Sequence, residues 1–231
     1  MQLSVDGSGE SLHRRGYRPR MGLAPLKENL AAGLIRLTGW DGHRSLADPL
    51  CGSGTLLIEA ACMALGRPAG LDHRFALERW PDFNGQLWNQ ALEHAGSSRR
   101  DQLADGSNLA PVLGMELDAA VAEQGQANAD AAGVGDAVTI RCGDLRDFHP
   151  PSGPGVLVCN PPYGERIGER DELEQLYSDL GQMVKQRCSG WDFWVLSGNS
   201  ELTGALRMKA SRRIPVSNGG IDCRWLHYAI R

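Results

Sequence analysis

Asn160, Pro161 and Tyr163 lie in the stretch of this sequence that is best suited to chemistry on a small planar group. They follow an apolar, β-branched run at residues 156–159, which predicts a buried strand that ends abruptly. Two consecutive prolines then stiffen the turn and leave it with acceptors only. The Asn160 side-chain oxygen and the Pro161 carbonyl can both accept from one exocyclic amine, while Tyr163 stacks on its ring. Taken alone, the stretch is equally well interpreted as a proline-ended strand with a capping asparagine.

Residues 48–55, Asp-Pro-Leu-Cys-Gly-Ser-Gly-Thr, form a second stretch with chemical potential. They lie between a predicted strand at 44–48 and an apolar helix at 56–65. A strand, a glycine-containing turn and a helix typically open a nucleotide-binding α/β sheet, which receives its ligand at the carboxyl ends of the strands. Gly52 and Gly54 let the backbone approach a ligand closely.

Other features of this loop narrow the ligand class. Thr55 is predicted to cap the helix that follows. The spacing is not G-x-G-x-x-G, and no lysine follows as a phosphate-binding P-loop requires, so dinucleotides and ATP are disfavoured. The carboxylate of Asp48 suits a cationic ligand better than a pyrophosphate.

Two further acidic residues stand at the ends of predicted strands. Glu116 ends the strand within residues 111–118, where a carboxylate can accept from both hydroxyls of a ribose. Asp144 follows the strand at 137–142, where it can accept from an adenine amino group. With Asp48 and Asn160, four polar side chains thus end four strands that we expect to converge on one crevice.

The remaining pattern predicts an α/β chain with seven strands. Further helices are predicted at residues 26–37, 119–132 and 173–186, and further strands at 193–197, 209–216 and 223–230. Residues 66–110 are predicted to form a small helical insertion, with its clearest helix at 86–94 and with aromatic side chains that pack against the domain.

The beginning of the chain is predicted to form a separate segment. Residues 3–6 predict a short strand with no neighbouring partner, and a basic loop follows it. We expect residues 1–24 to be the remnant of a longer N-terminal region, and residues 25–231 to form the main domain.

Composition limits the function classes. The 231 residues are 42% hydrophobic, and no signal peptide or membrane span is predicted, which favours a cytoplasmic protein. The six cysteines contain no C-x-x-C pair, so we expect reduced thiols and no metal site. A net charge of −4 is unusual for a protein that binds nucleic acid unaided, so local patches or another domain must supply the affinity.

Arginines are concentrated in two such patches. The run at residues 12–20 interleaves four arginines with a tyrosine and a glycine, which suits phosphate contacts together with ring stacking. Further arginines follow Tyr163 in a glycine-containing loop. The candidate nucleic-acid-binding residues are Arg14, Arg15, Arg18, Arg20, Arg166 and Arg170. The other interpretation of these patches is an ordinary solvated loop.

On these motifs the chain resembles the class I S-adenosylmethionine-dependent methyltransferases, with residues 48–55 as the cofactor loop and residues 160–163 as the catalytic motif. Residues 11–18, 25–30, 160–168 and 218–223 are similar to the guanine-N2 methyltransferase domain of large-subunit ribosomal RNA enzymes that also carry a THUMP domain. Glu116 departs from the commoner aspartate, and no THUMP domain is present in these residues.

The resemblance implies a Rossmann-like fold with a mostly parallel seven-stranded sheet, helices on both faces and a small helical insertion. It implies S-adenosylmethionine as cofactor, ribosomal RNA as substrate and a THUMP-type RNA-binding domain as partner. Its implied catalytic residues are Asn160, Pro161 and Tyr163. Its implied cofactor-binding residues are Asp48, Pro49, Cys51, Gly52, Ser53, Gly54, Thr55, Glu116, Asp144, Leu145 and Asn160.

Three alternatives remain open at the level of the sequence. An adenine N6 amine and a protein glutamine amide also present a planar amine to Asn-Pro-Pro-Tyr, so the motif does not separate them from guanine N2. The third alternative is a catalytically silent RNA-binding or ribosome-assembly module that keeps the fold.

Overall fold

Seven strands form one sheet in the computed structural model, which describes residues 3–18, 26–97, 109–163 and 170–231. In chain order they are β1 (Ser45–Asp48), β2 (Val112–Glu116), β3 (Val138–Cys142), β4 (Gly155–Cys159), β5 (Asp192–Ser197), β6 (Arg212–Asn218) and β7 (Ile221–Ala229). Across the sheet the order is β3-β2-β1-β4-β5-β7-β6. The first five strands in that order are parallel, and β7 is antiparallel to both of its neighbours.

Six α-helices connect these strands within the described residues. They are α1 (Glu28–Thr38), α2 (Thr55–Ala64), α3 (Gly85–Ser97), α4 (Ala119–Ala131), α5 (Arg170–Arg187) and α6 (Ser200–Ala205). The alternation of strand and helix agrees with the expected Rossmann-like architecture, including the mostly parallel sheet. Helix α6 was not predicted from the sequence, because its six residues are too few to show a helical period.

Apolar side chains cover both faces of the sheet. One core packs against α1 and α2 and contains the stacked pair Trp194 and Trp225, whose ring centroids are 5.7 Å apart. The other core packs against α5 and contains Phe193 and Tyr228. All residues of the central strands β1 and β4 are buried, as is typical of parallel strands with helices on both sides. This rigid centre fixes the positions of the loops at its carboxyl edge.

The strand order reverses between β1 and β4. From β1 the chain proceeds outward through β2 and β3, whereas β4 and β5 lie on the other side. Such a switch point leaves a crevice outside the carboxyl ends of the two central strands, where ligands of open α/β sheets bind. Asp48 ends β1 and Asn160 follows β4, so both face this crevice region.

The strand predicted at residues 3–6 is wrong, since residues 3–9 have no regular structure. This segment lies instead against the insertion, where the carbonyl oxygen of Gly7 accepts from the backbone N–H of Leu77 at 3.0 Å. Further along, Tyr17 is buried in the same core as α1 and α2.

The insertion is helical where it is described, with a 3₁₀ turn at Ala76–Arg79 and helix α3. Its aromatic rings pack mainly on one another. The rings of Phe75 and Trp88 meet edge to face at 5.3 Å, and Phe83 lies 6.1 Å from Trp88. The aromatic side chains were predicted to pack against the domain, whereas these rings pack on one another within the insertion.

Candidate active site

The loop after β1 is held in place by main-chain hydrogen bonds to the adjacent strand β2. The backbone N–H of Cys51 donates to the Met115 carbonyl at 2.9 Å, and the N–H of Gly52 donates to Glu116 Oε2 at 3.0 Å. The other Glu116 oxygen, Oε1, accepts from the N–H of Asp118 at 3.0 Å. One carboxylate therefore fixes both the glycine loop and the start of α4.

Two glycines of the loop have backbone conformations that other residues rarely adopt. Gly52 has φ of 53° and Gly54 has φ of 82°. A Cβ on Gly54 would come within 2.8 Å of Ile140, whereas a Cβ on Gly52 would meet no atom within 4 Å. Gly54 is thus tightly packed from behind, and Gly52 presents open space where a ligand can approach the backbone.

Gly54, and not Thr55, is the N-cap residue of α2. Thr55 is the first residue of the helix and is buried, and no side-chain capping bond is formed. The capping role predicted for Thr55 is therefore wrong. The left-handed backbone of Gly54 turns the chain one residue earlier than a capping threonine would.

Three residues that the sequence reasoning missed support this loop from behind. A Cβ on Gly114 would lie 2.7 Å from the Cys51 sulfur, so only glycine lets β2 pass there. A Cβ on Gly125 would lie 3.2 Å from the Gly52 carbonyl oxygen, so α4 packs directly on the loop. The buried side chain of Asn128 donates to the Ser53 carbonyl at 3.2 Å. The sequence did contain a signal for two of these residues, because Gly114 lies inside a predicted strand and Gly125 lies inside a predicted helix.

Asp48 is the most deeply buried carboxylate of the crevice, with 2% of its surface exposed. It accepts a hydrogen bond from the backbone N–H of Leu50 at 3.0 Å. Burial is the main reason that the pKa of Asp48 is raised to about 8, and the nearby charge of Glu116 raises it further. A cationic group beside Asp48 would favour its ionised form and so would be favoured there.

Asn160 presents an acceptor that no described residue uses. Its Oδ1 atom is buried and makes no hydrogen bond with any residue in the described parts of the chain. An unpaired buried acceptor costs about 1–3 kcal/mol, so such atoms call for an explanation. Pro161, which follows it, is also buried and has no N–H group.

Tyr163 is half-buried at the same edge of the sheet. Its hydroxyl oxygen accepts from Asn218 Nδ2 at 2.6 Å, which ties the turn after β4 to the end of β6. Its ring lies against Gly198, where a Cβ would come within 3.1 Å of Cδ2. Burial is the main reason that the pKa of Tyr163 is raised to about 12, so the phenol is neutral at pH 7. Asn218 was predicted only as part of a hairpin turn, because it lies 55 residues from Tyr163.

Asp144 stands at the end of β3, as expected, but its carboxylate already has a partner. It accepts from the backbone N–H and Nε of Arg146 at 2.8 and 2.9 Å, and these hydrogen bonds lower the pKa of Asp144 to about 2. Leu145 is buried in the core beneath it. The prediction that Asp144 accepts from an adenine amine therefore stays a prediction, and Arg146 competes for that acceptor.

The structure corrects the assignment of Arg15 and Arg18 as RNA-binding residues. Arg15 pairs with the buried Glu59 at 3.4 Å, beside the Tyr17 hydroxyl that donates to Glu59 at 3.0 Å. The side chain of Arg18 is only 5% exposed and donates to the Leu26 carbonyl at 3.2 Å, with Glu28 at 3.8 Å. Both guanidinium groups anchor the N-terminal loop on α1 and α2, because the buried carboxylates of Glu28 and Glu59 need cationic partners.

The other candidate arginines differ in their surroundings. Arg14 is exposed and pairs with Glu10, and Arg170 is exposed and pairs with Glu174 and Glu201. Surface ion pairs of this kind are weak, so the guanidinium groups of Arg14 and Arg170 can still contact a phosphate. Arg20 and Arg166 lie outside the described residues. The structure thus brings the four strand ends together. Of the described candidate arginines, Arg14 and Arg170 pair with exposed carboxylates, and Arg15 and Arg18 pair with buried ones.

Metal and membrane sites are not evident in the described residues. No group of three or more histidine, cysteine, aspartate or glutamate side chains there could hold a metal ion. The described helices are all too short or too polar to cross a membrane.

Comparison with known proteins assigns the chain to a family. The family model described as the RMKL-like methyltransferase domain matches residues 15–227. The chain belongs to this family. As a member of the RMKL-like methyltransferase family, it has the class I methyltransferase fold that its sheet order shows.

Named relatives cover the chain almost completely. It is 43% identical over 230 residues to a Synechocystis protein named as a candidate RNA methyltransferase, covering 99% of this chain and 59% of that protein. It is 39% identical to the ribosomal RNA large subunit methyltransferase K/L of Shewanella amazonensis, covering 99% of this chain and 32% of that protein. The chain therefore spans only part of the length of these relatives.

Two solved structures are similar throughout the chain. A candidate methyltransferase, SMU.472, complexed with S-adenosylhomocysteine, superposes with a TM-score of 0.86 at 31% identity and covers 98% of this chain and 58% of that one. A protein of Listeria monocytogenes, predicted to be an N6-adenine-specific DNA methylase, superposes with a TM-score of 0.87 at 34% identity. The match covers 98% of this chain and 57% of the Listeria chain.

Proposed function

We propose that this domain uses S-adenosylmethionine to methylate the exocyclic N2 amine of a guanosine in large-subunit ribosomal RNA. The observation that carries the proposal is the unpaired, buried Oδ1 of Asn160 at the switch point of the sheet. An acceptor in that position is satisfied by an amine that enters the crevice. The ribosomal relative supports RNA as the substrate class.

The crevice fits the proposed cofactor in three places. The open space at Gly52 allows a nucleoside to approach the backbone. Glu116 offers a carboxylate to the ribose hydroxyls, and Asp48 offers one to a cationic group. The similar structure complexed with S-adenosylhomocysteine supports the same assignment. When bound, the cofactor supplies an electrophilic methyl group.

The chain's own residues prepare the amine for that methyl group. A guanine amine is a weak nucleophile because its lone pair is delocalised into the ring. Two hydrogen bonds, to Asn160 Oδ1 and to the Pro161 carbonyl oxygen, would draw the nitrogen toward tetrahedral geometry and localise the lone pair. Such positioning is effective when reacting atoms are held about 3–3.5 Å apart. The proton that leaves the alkylated amine needs no strong base.

Tyr163 would hold the target base by stacking, with the ring fixed by its hydrogen bond from Asn218. Reaching the amine requires a base that has left its helix or is single-stranded. Stacking of this kind stabilises binding by about 1–3 kcal/mol per base. The THUMP-type partner domain and the cytoplasmic location both stay predictions.

Nucleoside mass spectrometry tests the proposal. The domain is incubated with methyl-labelled S-adenosylmethionine and large-subunit ribosomal RNA, and the RNA is digested. We expect labelled N2-methylguanosine with the native chain and less of it, by about 10²-fold or more, with Asn160→Ala in the same incubation time. Labelled N6-methyladenosine would favour the adenine alternative, which the Listeria neighbour supports. No labelled nucleoside despite cofactor binding would leave the silent-module alternative.

A further inference from the structure

Positive charge is concentrated in residues 207–231, a region that the proposed function has not used. This segment carries six basic residues and a single acidic one, Asp222, giving a net charge of +5 in a chain whose total is −4. The basic residues are Arg207, Lys209, Arg212, Arg213, Arg224 and Arg231. The rest of the chain is therefore clearly acidic, and this segment has the opposite sign.

Two of these arginines line a groove of about 890 Å³ between α6 and the β6–β7 hairpin. Pro215 is paired with Arg224 in the β6–β7 ladder, and Arg213 is paired with Leu226. Arg213 and Arg224 are thus diagonal neighbours on the same face of the sheet, roughly 7–8 Å apart at this kind of position. On the opposite wall the groove is lined by Asn199, Ser200 and Thr203. We call this surface the β6–β7 groove.

Both arginines are exposed and make no ion pair or side-chain hydrogen bond with any described residue. Arg15 and Arg18, by contrast, are anchored to carboxylates. Arg212, on the other face of β6, lies over the ring of Trp194. Arg213 and Arg224 therefore keep their charge available to an anion in the β6–β7 groove.

The groove is continuous with the proposed catalytic turn. Ser197 and Gly198 line one end of it, and Gly198 is the residue against which the Tyr163 ring packs. Ser217, which also lines the groove, precedes the Asn218 that holds the Tyr163 hydroxyl. A strand whose base is stacked on Tyr163 would leave the site along this groove.

We propose that the β6–β7 groove binds the phosphate backbone of the RNA strand next to the target nucleotide, with Arg213 and Arg224 as its phosphate contacts. This inference rests on the proposed function and names the surface that holds its substrate. Two unpaired guanidinium groups match consecutive phosphates, in a groove whose lining includes one carboxylate, that of Asp222.

Salt-dependent RNA binding tests the inference. The probe is a fluorescein-labelled 20-nucleotide single-stranded RNA of mixed sequence, titrated with the full chain between 50 and 200 mM salt. Arg213→Glu with Arg224→Glu should lower affinity at least tenfold at the lower salt and reduce the slope of log affinity against log salt by roughly 1.4, or about 0.7 per contact. Arg213→Lys with Arg224→Lys should keep the slope, since both charges remain.

The matched control is Arg36→Glu with Arg79→Glu, which reverses the charge of two exposed arginines outside the groove. It should change the slope of log affinity against log salt by less than about 0.7, the value expected for one phosphate contact. S-adenosylhomocysteine affinity should be equal in all variants, which shows that the fold is intact. The inference is overturned if the groove variant binds RNA like the control. Vesicles that contain phosphatidylserine are a second anionic probe, and the inference is also overturned if the groove variant loses binding to these vesicles but keeps native RNA binding. RNA binding with these slopes but without methyl transfer by the native chain would instead refute the proposed function.

Discussion

On one side of the switch point, the glycine loop is shaped by bonds from its own backbone to β2 and by close contacts with α4. On the other side, the turn after β4 is held by side chains that come from far along the chain, as in the bond between Asn218 and Tyr163. The first side is acidic and closely packed. The second is followed by a basic groove and by an acceptor, on Asn160, that the described residues leave unpaired.

This difference indicates a division of labour between the two sides. A loop fixed by its backbone is suited to a constant ligand such as a cofactor, since its shape does not depend on which substrate is present. A turn fixed by distant side chains can couple the catalytic residues to the surface that binds the substrate. We expect changes on the first side to affect cofactor affinity, and changes on the second side to affect transfer and RNA binding.

On the second side, the largest expected effect is the loss of methyl transfer in Asn160→Ala. Methyl transfer in single turnover should fall by about 10²–10³-fold, as for loss of a positioned hydrogen bond that stabilises a transition state. The control is Asn84→Ala, which removes the same group from the start of α3 in the insertion and should leave the rate unchanged. A rate within threefold of the native rate for Asn160→Ala would contradict the proposed role.

Asp48 gives the first side a pH dependence. Its pKa is about 8 in the folded chain and near 3.8 when unfolded, so the folded state binds the proton more tightly. The free energy of unfolding should therefore fall as pH rises from about 4 to 8, by on the order of 3 kcal/mol between pH 5 and 8. Asp48→Asn should remove most of this slope while keeping the acceptor for Leu50.

Urea denaturation of the ligand-free chain at several pH values measures this effect. The native chain should lose stability toward pH 8, and the Asp48→Asn variant should lose much less. Equal pH slopes for the two proteins would show that burial does not raise the pKa of Asp48 and that its carboxylate is ionised across this pH range.

Tyr163→Phe should produce a smaller effect on the second side. It removes the hydroxyl that Asn218 bonds but keeps the stacking ring, so transfer should fall by about 3–10-fold, equivalent to roughly 0.5–1.5 kcal/mol. Asn218→Ala should give a similar loss, and the double variant should be no worse than either single one. If Tyr163→Phe is as inactive as Tyr163→Ala, the hydroxyl and not the ring is the essential group.

Much of the first side could be predicted from the sequence, because its signals are local. The strand, the glycine turn and the acidic residue at each strand end all lie within short windows, and the structure confirms strands at these positions. Only the detail of the helix cap was wrong, because Gly54 and not Thr55 turns the chain.

The errors fall where contacts join distant residues. Arg15 was assigned to RNA because the basic run is visible in the sequence, whereas its partner Glu59 lies 44 residues away on α2. The strand predicted at residues 3–6 was wrong for a related reason, since the chain just after it, at Gly7, accepts a backbone hydrogen bond from Leu77 of the insertion. On the second side, the catalytic motif was therefore predicted from the sequence, but the contact between Asn218 and Tyr163 that holds its turn was not.

Calorimetric titration with S-adenosylhomocysteine tests the division of labour most directly. The native chain should bind it in the micromolar range, about −8 kcal/mol. Glu116→Ala should weaken binding by about 1–3 kcal/mol because the ribose loses a charged acceptor, with Glu116→Gln intermediate, whereas Asn160→Ala should stay within a few-fold of the native affinity. Equal losses for Glu116→Ala and Asn160→Ala, or none for either, would contradict the account.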